Sequence, residues 1–115
     1  MNLSAEERFA RLRLARADRV GPVAFSQLLA RHGSAIAALD ALPQIVRRTG
    51  GSLTPPARER IEAELAAGER IGARLLVLGD PQYPAALAAL DPPPPILWTR
   101  GDATLLNRPC IAVVG

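Results

Sequence analysis

Near residue 72 the spacing of apolar residues changes character, and this switch limits the chain to a fold of two unlike parts. Upstream, apolar side chains recur at intervals of three and four, the period of an amphipathic helix. Downstream they gather in short aliphatic runs cut by glycine and proline, the pattern of strands and tight turns. A helical bundle over 1–72, followed by the start of a sheet-containing domain over 73–115, is expected, α+β overall.

In the upstream part, Ser4 and Glu7 form a capping box ahead of a first helix running to about Ala17. Ala5, Phe9 and Leu12 share one face of it. The stretch Arg19–Pro22 reads as a tight turn, with Pro22 suited to the first turn of a second helix. There Ala24 pairs with Leu28 and Phe25 with Leu29, and His32 and Gly33 close the helix. His32 suits that end because the helix dipole favours a cation there. Ser34 caps a short third helix through Leu39, and "LPQIVRRT" forms a short fourth one, stopped by Gly50 and Gly51. Thr54-Pro55-Pro56 opens the longest helix, which extends to about Ile71. Arg58/Glu62 and Arg60/Glu64 are spaced as i,i+4 ion pairs on its wet side, with Ile61 and Leu65 on the buried side.

In the downstream part, Arg74–Asp80 reads as a strand, "PQYPAALAAL" as a turn and short helix, and "DPPPP" as a rigid corner. "ILWTRGD" reads as a second strand and "ATLLN" as a helical turn. The closing run "CIAVVG" reads as a third strand, apolar without alternation, as in a parallel sheet covered on both faces. Such a strand needs cover from further polypeptide, so Gly115 is expected to be internal to a longer protein. A glycine in that position also suits a βα turn whose backbone approaches an anion.

Few catalytic arrangements can be built. One histidine and one cysteine preclude a multi-histidine metal site and an internal disulfide within this segment. Cys110 reads as a buried thiol, and no carboxylate pair suggests general acid–base work, so neither enzyme chemistry nor a cofactor is expected. The polar, acidic N-terminus is not a signal peptide, and no run approaches a membrane span; a reducing, cytoplasmic setting follows. Aromatics make up 3%, so the core is built from Leu, Ala, Ile and Val, with Tyr83 and Trp98 as packing residues in preference to base-stacking ones.

Features that suit nucleic acid are better represented than catalytic ones. All 14 basic residues are arginine, whose planar fork suits phosphate, although a codon preference would give the same composition. The net charge of +3 permits DNA contact without demanding it. The stretch "ADRVGPVAFSQLLARHGSAIAAL" resembles a helix-hairpin-helix, whose glycine-rich turn and following helix N-terminus meet a DNA phosphate. Gly21 holds the second glycine position, while Arg19 replaces the first and lacks glycine's freedom at positive φ. Arg13, Arg16 and Arg19, three residues apart, are candidates for a basic stripe leading to that turn.

Taken together, "LGDPQYPAALAALDPPPPILWTRGD" and "LLNRPCIAVVG" resemble the DNA-processing protein A family, also called DprA or Smf. The matching positions are Asp80, Tyr83-Pro84, Leu87, Leu90, Asp91-Pro92-Pro93, Leu97-Trp98, Arg100-Gly101 and Val114-Gly115, with Trp98 where tyrosine is more usual. The helical part is similar to the family's sterile-alpha-motif-like N-terminal domain. The resemblance implies the first strands of a Rossmann-like domain. It also implies a non-catalytic, dimeric protein that binds single-stranded DNA, protects it during natural transformation and loads a RecA-type recombinase. Gly115 is the one site position it transfers, because the family's DNA-contacting loop follows that glycine. A different class fits the same elements: a protein-docking helical module attached to a nucleotide-binding Rossmann-like enzyme.

Overall fold

The computed structural model describes residues 3–50 and 54–100. Four helices come first: α1 (Ala5–Ala15), α2 (Pro22–His32), α3 (Ala35–Thr49) and α4 (Arg58–Arg70). They are followed by β1 (Ala73–Val77), the single turn α5 (Ala85–Ala88) and β2 (Ile96–Arg100). The strands pair antiparallel, from Ala73 opposite Arg100 to Val77 opposite Ile96. The fold is α+β, helices first and strands second, as the change in spacing implies. The expected third strand Cys110–Gly115, its parallel setting and the helical turn at "ATLLN" lie outside the described residues.

The helical core joins Ala10 and Leu14 of α1 to Ala17, Val20, Phe25, Ala35, Ala38 and Leu42. The capping box forms in part: the Glu7 amide donates to Ser4 Oγ at 3.1 Å. The buried face of α1 is not the expected one. Ala5 is exposed and Phe9 half-buried, whereas Glu7, Ala10 and Leu14, at steps of three and four, are buried. Leu12 is also fully buried, and two residues from Leu14 places it on the opposite side of the helix. Thus α1 is covered on two sides, by helices and by the α4–hairpin unit.

Two helix boundaries differ from the sequence reading. The expected third and fourth helices are one, α3, which runs through Pro43. A proline inside a helix removes one hydrogen bond. Here Pro43 lies on the exposed side, while Ala35, Ala38 and Leu42 keep the opposite side buried, and that burial outweighs the lost bond. α3 is therefore the longest helix. α4 begins at Arg58, four residues after Thr54, because Pro56 drives Pro55 out of helical conformation. The extended segment is used instead. The Thr54 carbonyl accepts from the Asp18 amide at 3.0 Å, and the Pro56 carbonyl accepts from Arg13 Nε at 2.7 Å. Tertiary contacts join the residues of the expected α4 pairs: Arg58 sits 4.3 Å from the centre of the Phe9 ring, and Glu64 bonds Arg16 while also feeling the Arg60 charge.

The second cluster is small: Leu76, Tyr83 and Leu97, with Leu78 and Leu87 against them. The proline corner supplies acceptors. Leu78 N–H donates to the Pro95 carbonyl at 2.9 Å, and the Tyr83 hydroxyl donates to the Pro94 carbonyl at 2.6 Å. Tyr83 is thus the packing residue expected, and burial pushes its phenol pKa up. Asp80 closes the turn after β1 by accepting from the Val77 amide at 2.9 Å.

Candidate nucleic-acid interface

The turn between α1 and α2 carries the helix-hairpin-helix geometry. Arg19 adopts φ +64°, the left-handed conformation for which glycine is usual. An L-residue there costs roughly 1 kcal/mol, and the surrounding contacts impose it. Val20 anchors the turn by its buried side chain and by an amide that donates to the Ala17 carbonyl at 3.2 Å. Gly21 then caps α2 in an extended conformation, with no side-chain hydrogen bond, and Pro22 opens the helix. Arg19, Gly21, Pro22 and Val23 are all exposed. Arg19 lacks glycine's freedom at positive φ, and the backbone takes this conformation with arginine in place.

The arginines of α1 do not form one open stripe. Arg13 reaches the Pro56 carbonyl, and Arg16 grips Glu64 with Nε at 3.1 Å and a terminal nitrogen at 2.9 Å. Only Arg19 of the three stands clear on the turn. Two further arginines, missed by the sequence reading, tie α1 to the hairpin. Arg8 donates to the Leu75 carbonyl at 3.0 Å and pairs with Asp80 at 2.5 Å; Arg11 reaches the Leu78 carbonyl at 2.5 Å. Their signal lay in the family motif, since Asp80 is its first residue and needs a cation. Gly115 lies outside the described residues.

Two carboxylates complete these ties. Burial pushes the Glu7 pKa up, but bonds from the Ala35 amide, the Arg11 guanidinium and the Ile36 amide, with the Arg11 charge, hold it below the usual range. The Arg16 guanidinium holds Glu64 low against the pull of burial, helped by the Trp98 indole and the charges of Arg16 and Arg60. Trp98 Nε1 donates to Glu64 Oε2 at 2.8 Å, so α1, α4 and β2 meet at one carboxylate.

His32 ends α2 as expected, with Gly33 in left-handed conformation behind it; its Nε2 is buried with no partner among the described residues. Among those residues no group of three His, Cys, Asp or Glu is placed to hold a metal ion, and no helix is long and apolar enough to cross a membrane.

The fold thus defines a helix-hairpin-helix module fused through α4 to an antiparallel hairpin. Residues 5–67 match the family model described as a DprA-like N-terminal HHH domain, and residues 74–115 match DNA recombination-mediator protein A. The chain belongs to this family of DNA-processing, recombination-mediating proteins. Compared singly with curated proteins, it has no match.

Proposed function

We propose that the protein is a non-enzymatic recombination mediator of the cytoplasm. It binds and protects single-stranded DNA and delivers it to a RecA-type recombinase, as in natural transformation, and it works as a homodimer. The observation that carries this reading is the turn at Arg19–Pro22, shaped for a phosphate in a chain of this family. Arg19 and the backbone at Gly21 meet the phosphate. Arg13 and Arg16 add charge from the side, and the backbone at Gly115 approaches the strand. The 73–115 part begins a Rossmann-like domain joined to the 1–72 module.

The test is fluorescence anisotropy of the full chain with a labelled oligothymidylate and with a duplex of equal length, across salt. Preference for the single strand is expected. Arg19→Ala should lower the salt slope by about 0.7, one single-strand phosphate contact. Equal affinity for both DNAs would overturn the reading. The engagement of Arg13 and Arg16 within the fold favours a second reading, in which the bundle docks a protein and DNA is held elsewhere. An unchanged slope in the Arg19 variant selects that one.

A further inference from the structure

Beside Trp98 the hairpin and α4 leave an open groove of about 360 Å³, within the size range of small-ligand pockets. Ala67 and Gly68 of α4, Ile71 at its C-terminal cap and Ala73 of β1 form its apolar wall with the indole. Ile71 is 55% exposed there, which leaves its side chain open at the groove. Arg16 and Arg100 stand at the rim. Arg100 lies on the same face of β2 as Trp98, two residues on, and is exposed without an ion-pair partner among the described residues. The one acid lining the groove, Glu64, already accepts from Arg16 and from the indole. The rim is thus net positive and the wall apolar.

We propose that this groove receives one nucleobase of a single-stranded DNA segment, with Trp98 as the stacking surface and Arg100 on the adjoining phosphate. The proposal rests on the single-strand-binding reading above. Bases in a duplex are already stacked, so only an unpaired base can enter. Single-strand binders combine an aromatic surface with basic groups in this way. The indole is held in advance on two sides. Its Nε1 is bonded to Glu64, and its six-membered ring lies so close to Gly68 that any Cβ there would collide with it. Trp98 therefore serves the packing between α4 and β2 and still lines the groove with its open part.

Trp98 is the chain's one tryptophan, so its emission reports the surroundings of this indole, and the Ile71 variant ties the signal to this groove. Full-length protein would be titrated with oligothymidylate, with an abasic deoxyribose-phosphate oligomer of the same length, and with duplex. Labelled-strand anisotropy would be recorded in parallel. Oligothymidylate should quench the emission strongly and the abasic oligomer little. Ile71→Glu, on the exposed wall, should abolish the quenching, and Trp98→Leu should weaken binding by about 5- to 150-fold, the worth of one stacked base. Far-ultraviolet circular dichroism would verify that both variants are folded; a Trp98→Leu chain that fails to fold leaves Ile71→Glu as the deciding variant. Oligothymidylate that binds by anisotropy without quenching, or equal quenching by the abasic oligomer, overturns the groove and leaves single-strand binding standing. Emission that shifts on dilution of the protein alone assigns the groove to a second copy and overturns it too. No binding of either strand defeats the functional reading itself.

Discussion

Replacing Glu7 probes the point at which α1 and α3 are joined. The first three amides of a helix have no partner within it. In α3 all three are met from outside: Ala35 N–H by Glu7 Oε2 at 2.8 Å, Ile36 N–H by Glu7 Oε1 at 3.2 Å, and Ala37 N–H by Ser34 Oγ at 3.1 Å. Glu7→Ala removes two of the three acceptors and leaves the Arg11 Nε donor unpaired. The Ala35 amide is buried and cannot recruit water, whereas that of Ile36 is partly open. Hydrogen bonds to charged groups are worth about 1.5–3 kcal/mol, and discounting the Ile36 bond gives a loss of about 3 kcal/mol. At about 4 °C per kcal/mol for a chain of this size, the melting temperature falls by about 12 °C. Glu7→Gln keeps one acceptor and the shape, and should lose roughly half as much.

The effect also has a sign in pH. The folded pKa of Glu7 lies below its unfolded value of 4.5, so its contribution is complete above that value and is lost as pH falls through the folded one. The gap in melting temperature between the native chain and Glu7→Gln should therefore be widest near neutrality and close progressively below pH 4.5. Thermal unfolding by circular dichroism at several pH values measures it. A Gln variant that melts with the native protein at pH 7, or a gap unchanged in acid, would show that this carboxylate does not hold α3.

Three further substitutions test other joints. Asp80→Ala strands the Val77 amide and takes the ion pair from Arg8, which keeps its bond to the Leu75 carbonyl; urea unfolding should show a loss of about 2–3 kcal/mol, short of a fully buried pair because Arg8 is partly exposed. Arg19→Gly relieves the left-handed strain and should raise stability by about 0.5 kcal/mol after glycine's entropy is counted, a rise in melting temperature of about 2 °C; a fall would show that Arg19 makes a native contact the φ value does not explain. Gly68→Ala forces the indole aside and should cost about 1–3 kcal/mol, with a shift in Trp98 emission that reports the displacement.

The alternation from helices to strands was legible because each element keeps its own apolar period, and the caps at Ser4, Pro22, Ser34 and Gly33 fall where local chemistry puts them. The error at Pro43 has a tertiary cause. A local rule ends the helix, but Ala35, Ala38 and Leu42 keep one buried face across the proline. The site was harder to read. Spacing placed Arg13 and Arg16 on a stripe, yet their partners, Pro56 and Glu64, are 43 and 48 residues away. No local pattern reports such a pairing. Asp80, Tyr83 and Pro84, by contrast, were visible as a family motif, and the structure gives them architectural work: a turn, a corner and a buried plug.

The arginines of α1 suggest why this helix is hard to dissect by mutation. Arg8, Arg11, Arg13 and Arg16 each fasten α1 to a different stretch of the chain, from β1 to α4. Arginine suits this task because its fork reaches carbonyls and carboxylates together. Arg16 in turn steadies Glu64, which steadies Trp98. Replacing Arg16 would therefore weaken DNA binding through the indole even if no phosphate ever touched the guanidinium. The two routes separate by salt: a lost phosphate contact lowers the slope by about 0.7, while a displaced stacking ring lowers affinity at every salt concentration alike. For Arg16→Ala both effects are expected, a lower slope from the charge it adds and a drop that persists at every salt concentration, with Trp98 emission altered before any DNA is added; a lower slope with unaltered emission would mean that Arg16 acts on the strand without holding the indole.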